Sequence, residues 1–278
     1  MPNRIDNLFQ RLRTENRRAL MPFLTAGDPD LDTTAALLTE LLDRRGAHLV
    51  ELGIPYSDPI ADGPVITASY TRALRKGVKL RAIFDMITHW RLENPGPPLV
   101  TMVSYAIVHR HGVDRYLSEA ADAGVDGLII PDLPVEEAEG REGLRAKVDA
   151  ARLRLIQLVT PTTPRDRAVR IAKSSSGFLY YVSVAGITGE RAALPADLTD
   201  NVAWLRTQTN LPICIGFGIS TPEHVRQLAP VADGLIVGSA IVRRIAALVE
   251  EGHVGEHAVR EVGEFVAGLR TALEQRTA

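Results

Sequence analysis

The chain has 278 residues, of which 45% are hydrophobic and 24% are charged, and its formal net charge at pH 7 is −2. This composition is typical of an ordinary globular protein and excludes the strongly basic class that binds nucleic acids or acidic membranes. Its length fits either two average domains or one large α/β barrel. The single cysteine, Cys214, excludes an intramolecular disulfide and a cysteine-rich zinc site.

The N-terminal residues predict a helix and not a targeting segment. Ile5, Leu8, Phe9 and Leu12 follow the i, i+3, i+4, i+7 spacing of an amphipathic helix. The segment lacks the apolar core of a signal peptide, and no later run reaches the roughly eighteen apolar residues of a membrane span. We therefore expect a cytoplasmic protein, without a membrane partner, whose first helix covers one end of the core.

Eight short apolar runs predict buried parallel strands, because most of them lack polar alternation. They lie at residues 20–26, 48–53, 98–104, 125–132, 153–159, 177–183, 211–217 and 233–238. Helical periodicity fills the gaps, at residues 31–45, 79–92, 113–123, 134–149, 164–173, 196–208, 221–228 and 256–275. Eight βα units favour a closed barrel over an open doubly wound sheet, which more often has five or six strands. We predict an α/β protein, a (β/α)8 TIM barrel, with one domain over residues 1–278 and an extra N-terminal helix.

One carboxylate interrupts a predicted buried strand. Glu51 lies between Val50 and Leu52, so it either points along the barrel axis or is buried, at a cost of several kcal/mol unless paired. In one interpretation it is a structural carboxylate that bonds to a neighbouring hydroxyl or amide. In the other, apolar surroundings raise its pKa into the range that suits proton transfer near neutral pH.

The loop after this strand favours the second interpretation. Three prolines restrict its backbone, and it carries two aspartates, Asp58 and Asp62. A loop aspartate taken alone more often forms a turn or caps a helix. Such a stiff loop, however, can hold one aspartate at a fixed distance from Glu51 across the barrel mouth. Two carboxyl groups in unequal environments are a known acid/base arrangement.

Three glycine-bearing stretches follow the last three predicted strands, at residues 183–190, 216–221 and 237–242. Taken singly, such glycines are turn residues. Together they favour a phosphate site, because barrels commonly bind phosphate after strands seven and eight. The step from Gly238 to Ser239 also begins a predicted helix, whose N terminus attracts anions. The first stretch is long and polar enough to form a lid, although a surface loop would look the same.

The reactive residues favour acid/base chemistry on a phosphorylated small molecule, without a metal or cofactor. No lysine lies at a predicted strand end, which disfavours a Schiff base. The seven histidines are scattered, and only His109 and His111, as a pair on a loop, fall near the mouth. Several apolar residues near strand ends form either a binding wall or the top layer of the core. They are Phe23, Ile66, Met102, Tyr180 and Phe217.

Six motifs, in their order and spacing, resemble those of the tryptophan synthase alpha subunit family. They read MPFLTAGDPD, ELGIPYSDPIADGP, IIPDLPVEE, YYVSVAGITG, GFGIS and GSAIV. The resemblance covers nearly the whole chain. It implies a (β/α)8 barrel that cleaves indole-3-glycerol phosphate to indole and glyceraldehyde 3-phosphate in the last step of tryptophan biosynthesis. It also implies assembly with a pyridoxal-phosphate-containing β subunit into an α2β2 complex.

The resemblance further implies roles for residues at matching motif positions. Glu51 would transfer protons, and Asp62 would hold the indole N–H. The implied phosphate contacts are Gly189, Gly218, Gly238 and Ser239. Tyr180 and Thr188 would lie near the catalytic centre and the lid, and Phe23 and Phe217 would lie at the indole wall.

One segment departs from the family pattern. Residues 102–107 read MVSYAI where members usually read close to MTYYNP, so Ser104, Ala106 and Ile107 replace an aromatic residue, an asparagine and the proline. In the family this region lies near the indole pocket and the β-subunit contact. Two alternatives to a β-coupled lyase therefore stay open. One is a stand-alone lyase that releases indole in a specialised pathway, and the other is a largely non-catalytic allosteric partner of a β subunit.

Overall fold

The computed structural model describes residues 2–59, 62–182, 197–216, 218–253 and 255–275. Parallel strands run through these ranges. They are β1 (Ala19–Thr25), β2 (Val50–Gly53), β3 (Leu99–Met102), β4 (Gly127–Ile129), β5 (Arg154–Ile156), β6 (Leu158–Val159), β7 (Leu179–Val182), β8 (Ile213–Gly216) and β9 (Gly234–Val237). Their order in the sheet is β5-β4-β3-β2-β1-β9-β8-β7-β6. Since β5 and β6 are two pieces of one predicted strand, separated at Gln157, the chain itself joins the two sheet edges and closes the barrel.

Helices connect and surround the strands. They are α1 (Arg4–Thr14), α2 (Leu31–Thr39), α3 (Pro64–Arg75), α4 (Leu80–Glu93), α5 (Tyr105–His111), α6 (Val113–Ala123), α7 (Val135–Ala138), α8 (Leu144–Ala150), α9 (Arg165–Ser174), α10 (Leu198–Arg206), α11 (Pro222–Leu228), α12 (Ser239–Glu250) and α13 (Glu256–Glu274). A π-helical segment, Glu40–Arg44, continues α2. No helix in the described ranges has the length and apolar character to span a bilayer.

The predicted TIM-barrel fold and N-terminal helix are confirmed, with differences in detail. The predicted helix over 134–149 is two helices, α7 and α8. The break contains Gly140, whose φ of +85° suits glycine and does not continue a helix. Helices α3 and α5 were not predicted, because α3 directly follows the proline-rich loop and α5 is only seven residues long.

Apolar side chains form two clusters, one on each face of the strands. Val50 and Leu52 of β2 belong to the outer cluster, between the strands and the helices. Leu49 belongs to the interior cluster, to which α1 contributes Ile5 and Leu8 at one end of the barrel. Because side chains alternate along a strand, this pattern points residue 51 into the interior. Helix α1 therefore covers one end of the core, as predicted, and leaves the other end for the loops after the strands.

A partly buried histidine, His48, lies two residues before β2. The Leu20 backbone N–H donates a hydrogen bond of 3.0 Å to His48 Nδ1, and His48 Nε2 has no partner among the described residues. Burial lowers the pKa of His48 from 6.5 to about 3, and nearby positive charges act in the same direction. The charges are those of Arg270, Arg17 and Arg11. The folded protein therefore holds this imidazole neutral, whereas the unfolded chain protonates it below pH 6.5.

We expect His48 to make the fold sensitive to acid. Its contribution is complete above pH 6.5 and is lost as pH falls towards 3, because only the unfolded chain binds the proton in that window. Between pH 7 and pH 5 the free energy of unfolding should fall by about 2 kcal/mol from this group. His48→Asn keeps an acceptor for Leu20 but does not titrate, so urea unfolding should show a loss smaller by that amount. His89→Asn, at an exposed position of α4, is the control. An unchanged loss in His48→Asn would contradict the assignment.

Candidate active site

Glu51 lies inside the barrel near its open end. It is paired in register with Phe23 of β1 and Val100 of β3, both in the interior cluster. Glu51 is only 1% exposed. Neither carboxyl oxygen has a hydrogen-bond partner among the described residues. Burial, followed by the charge of Asp62, raises the pKa of Glu51 from 4.5 to about 8. At pH 7 this carboxyl is therefore mostly protonated and can act as an acid.

Asp62 lies in the loop before α3, partly buried, and its backbone N–H donates to the Pro59 carbonyl at 3.4 Å. Burial, followed by the charge of Asp132, raises the pKa of Asp62 from 3.8 to about 6. Since Glu51 is still neutral when Asp62 loses its proton, its charge does not oppose that step. At pH 7 the site thus holds one neutral and one anionic carboxyl group. Asp58, the other sequence candidate, is exposed.

Helix α3 fixes the exit of the loop that carries Asp62. Pro64 occupies its first turn, where the missing N–H costs nothing. The Arg72 guanidinium donates to both oxygens of Asp28, at 2.8 and 2.6 Å, and Asp28 is only 3% exposed. The Ser69 and Thr25 hydroxyls are 2.6 Å apart. These contacts attach α3 to β1 and to the loop that follows β1.

Tyr70 of α3 is a site residue that the sequence reasoning missed. It is buried, and the charges of Asp62 and Glu51 add to burial in raising the pKa of its phenol. Gly53 leaves room for it, because a Cβ there would lie 2.8 Å from the Tyr70 hydroxyl and 2.5 Å from the Phe23 ring. The signal was present in the sequence, since the buried residues of α3 follow a helical spacing. They are Ile66, Ser69, Tyr70 and Ala73.

The predicted apolar wall is brought together in part. Phe23, Ile66, Met102 and Tyr180 are all buried in the interior cluster. Tyr180 packs over Gly216, where a Cβ would overlap the phenol hydroxyl. Phe217 lies outside the described residues, as do Thr188 and Gly189. The described part of the wall is thus apolar and partly aromatic, which suits the binding of a flat apolar ring.

The loops after β8 and β9 lie side by side, because these strands are paired. Gly218 follows β8 with a φ of +78°, a value that favours glycine. Gly238 follows β9, and a Cβ there would lie 3.6 Å from Phe23 Cβ, so this loop adjoins the apolar wall. Ser239 begins α12, a helix of 12 residues whose N terminus carries partial positive charge. Three of the four predicted phosphate residues thus follow adjacent strand ends.

A cavity of about 150 Å³, here called the outer cavity, lies among the loops after β2, β3 and β4. Asp62, Tyr70, Met102, Ser104 and Ala106 are among the residues that line it. Asp132 also lines it and accepts hydrogen bonds from the Ser104 hydroxyl at 2.6 Å and the Tyr105 N–H at 2.7 Å. The segment that departs from the family pattern therefore lines this cavity and is held by Asp132.

The other candidate groups lie away from the carboxyl pair. His109 and His111 belong to helix α5 and not to a loop. His109 is exposed, whereas His111 Nε2 lies 2.8 Å from a Glu119 oxygen. The four lysines lie within or at the ends of outer helices, away from the ends of the described strands. They are Lys76, Lys79, Lys147 and Lys173. A Schiff base with the substrate is therefore disfavoured by placement.

Comparisons of the sequence and of the structure with known proteins all match the same family. A family model described as "Tryptophan synthase alpha chain" matches residues 9–273. The tryptophan synthase alpha chain of Rhodopirellula baltica is 56% identical, over 97% of this chain and 98% of that protein. The crystal structure of the alpha chain from Legionella pneumophila has a TM-score of 0.89 at 33% identity, with 100% of both chains covered. A chain of the tryptophan synthase complex from Pyrococcus furiosus has a TM-score of 0.80 at 35% identity, over 91% of this chain and 98% of that one.

Proposed function

The chain belongs to the tryptophan synthase alpha chain family, and on that premise we propose how its two carboxyl groups cleave indole-3-glycerol phosphate to indole and glyceraldehyde 3-phosphate. The enzyme is a lyase of tryptophan biosynthesis. The observation that carries the proposal is that the two carboxyl groups at the barrel mouth have different pKa values. Glu51 is neutral at pH 7, and Asp62 is anionic.

Glu51 serves both proton transfers of the cleavage. The protonated carboxyl first gives its proton to indole C3, which turns the ring into a leaving group. The resulting carboxylate then takes the proton from the hydroxyl on the carbon bonded to C3, while the carbon–carbon bond breaks and the aldehyde forms. Glu51 ends the cycle protonated, so no further acid or base is needed. Its raised pKa of about 8 suits a group that begins the reaction with its proton.

Asp62 acts on the charge that develops in the ring. Protonation of C3 makes the ring N–H positive, and an anionic carboxylate that accepts this N–H stabilises the charge where it forms. The pKa of about 6 keeps Asp62 anionic at neutral pH. The charge of Asp132 contributes to the raised pKa of Asp62.

The remaining predicted residues bind the substrate. Gly218, Gly238 and Ser239 hold the phosphate, supported by the paired strands β8 and β9 and by the N terminus of α12. Phe23 and Tyr180 flank the indole ring. Thr188, Gly189 and Phe217 complete these contacts in the proposal, on the strength of the motif match alone.

A tryptophan synthase β subunit is the proposed partner. The support is that one solved relative is a chain of the tryptophan synthase complex from Pyrococcus furiosus. The outer cavity opens beside α5, so a partner on this face would lie next to the site.

Indole release, measured with and without a β subunit, tests the function. We expect slow cleavage by the chain alone and faster cleavage when the partner is added. Fast cleavage that the partner leaves unchanged would favour the stand-alone lyase. No cleavage in either mixture, with retained binding of indole propanol phosphate, would favour the non-catalytic allosteric partner.

A further inference from the structure

We propose that His224 is a positioning residue that holds Gly218 in the orientation in which its backbone binds the substrate phosphate. Residues 218–221 follow β8 and lead into α11, and they are here called the phosphate loop. The inference rests on the proposed function, because it takes Gly218 as a contact to the phosphate. It adds a residue that sets the affinity for phosphate through the loop and not by touching the substrate.

The phosphate loop needs partners for its backbone, because its residues belong to no strand or helix. The Ser220 N–H donates a hydrogen bond to His224 Nδ1 at 3.4 Å. A ring nitrogen accepts a hydrogen bond only when it carries no proton, so this contact assigns the His224 tautomer with its proton on Nε2. The side chain of a helix residue thus supplies the acceptor for a loop amide.

The start of α11 explains why His224 reaches the loop. Thr221 caps this helix, and its hydroxyl accepts the His224 backbone N–H at 3.3 Å. His224 is the third helical residue, the position from which a glutamate or glutamine side chain reaches back to the cap in a capping box. Here the imidazole reaches one residue further, to Ser220. One histidine therefore binds two consecutive loop residues, one through its backbone and the other through its ring.

The packing of α11 holds the imidazole in place. His224 is only 7% exposed. Val225 and Leu228 of the same helix belong to the outer cluster, and α11 packs against α13. Because the surrounding residues already restrict the ring, it loses little further conformational freedom when it holds the loop.

The phosphate loop is also fixed on both sides of Ser220. Ile219 is 3% exposed and belongs to the outer cluster, and Thr221 is attached to α11 by its capping bond. Gly218 lies directly before these residues, with a φ of +78° that favours glycine. Its backbone is therefore oriented before the phosphate arrives, and groups that are already oriented lose less freedom when they bind.

The reverse reaction, in which indole and glyceraldehyde 3-phosphate combine, tests this role because only one of the two substrates carries the phosphate. His224→Leu keeps a side chain of similar size but has no acceptor for the Ser220 N–H. We expect the KM for glyceraldehyde 3-phosphate to rise by about three- to tenfold, which is the effect of losing one hydrogen bond. The KM for indole, measured at saturating glyceraldehyde 3-phosphate, and kcat should both stay within about twofold of the wild-type values.

His224→Asn is the conservative variant. Its Oδ1 takes the place of the imidazole Nδ1 and can accept the Ser220 N–H, whereas the Nε2–H of the ring is lost. We expect its KM for glyceraldehyde 3-phosphate to lie within about twofold of the wild-type value. Direct binding gives the same comparison, since the Kd of indole propanol phosphate should rise in His224→Leu and not in His224→Asn.

Leu228→Val is the control for a general loss of stability in α11. Leu228 is 1% exposed at the last position of the helix, so shortening it weakens the packing without removing an acceptor from the loop. We expect a lower midpoint of urea unfolding and unchanged KM values. Circular dichroism shows whether each variant folds. If His224→Leu does not fold, His224→Ala, which only truncates the side chain, takes its place.

The outcomes separate this inference from the proposed function. Unchanged KM values in the variant without an acceptor, or an equal rise for both substrates, would overturn the positioning role and leave the function intact. An equal rise of the KM for glyceraldehyde 3-phosphate in His224→Asn would also overturn it, because the acceptor is present there. If the wild type forms no indole-3-glycerol phosphate, the proposed function is wrong and the inference falls with it.

Discussion

Glu51→Gln is expected to lower the rate of indole-3-glycerol phosphate cleavage by about 10²–10⁴ while leaving the barrel folded. The amide has nearly the same shape as the carboxyl group, so the interior stays filled. It can neither give a proton to C3 nor take one from the substrate hydroxyl. Single-turnover cleavage, measured with saturating substrate, reports the loss in the chemical step.

Glu40→Gln is the matched control for this variant. Glu40 is also buried, but it lies in the π-helical segment that continues α2 and is paired with Arg45 at 2.6 Å. We expect Glu40→Gln to lose stability, because it breaks a largely buried ion pair, and to keep its rate of cleavage. A Glu51→Gln enzyme with wild-type turnover would remove Glu51 from the mechanism.

Glu51→Gln should also be more stable than the wild type in alkaline solution. The folded state holds the Glu51 proton up to about pH 8, whereas the unfolded chain loses it near pH 4.5. The folded state thus binds more protons in this window, and the free energy of unfolding of the wild type falls as pH rises through it. Glu51→Gln removes that dependence. Its stability relative to the wild type should grow by about 3–5 kcal/mol between pH 4 and pH 8 in urea titrations.

Much of the barrel could be predicted from the sequence because its strands are apolar on both faces. Such runs stand out wherever they occur. They do not show which face a side chain occupies, and the inward direction of Glu51 follows from the observed clusters on the two faces of β2. The interruption of one strand at Gln157 could not be predicted, because it follows from closure of the barrel and not from local propensity. Helix α3 was missed since the proline-rich loop before it dominates the local pattern, although Pro64 is a common first residue of a helix.

The chemical state of the site was harder to predict than its residues. Asp62 and Glu51 could be identified as candidates from one loop and one strand. The pKa of Asp62 also depends on Asp132, which follows β4 and comes close only when the barrel closes. Tyr70 reaches the pair only because Gly53 lacks a side chain. Contacts between residues so far apart in sequence leave no local pattern.

Asp62→Asn should lower the rate of cleavage by about 10²–10³, because an amide no longer offers a negative charge to the ring N–H. Asp58→Asn removes a carboxylate from the same loop at an exposed position. We expect this variant to cleave indole-3-glycerol phosphate at the wild-type rate. The pair of variants therefore separates the local role of Asp62 from the general charge of the loop. Equal losses in both variants would count against the assignment.

The pH dependence of kcat/KM gives a second, independent measure of Asp62. The wild type should show a maximum near pH 7, with an alkaline limb near pH 8 from Glu51 and an acid limb near pH 6 from Asp62. The substrate phosphate also takes up a proton near pH 6. The wild-type acid limb should thus approach a slope of two in logarithmic form, whereas that of Asp62→Asn should have a slope of one. The alkaline limb should persist in both enzymes, because Glu51 is unchanged. Identical slopes of the acid limb would mean that the reaction does not need the negative charge of Asp62.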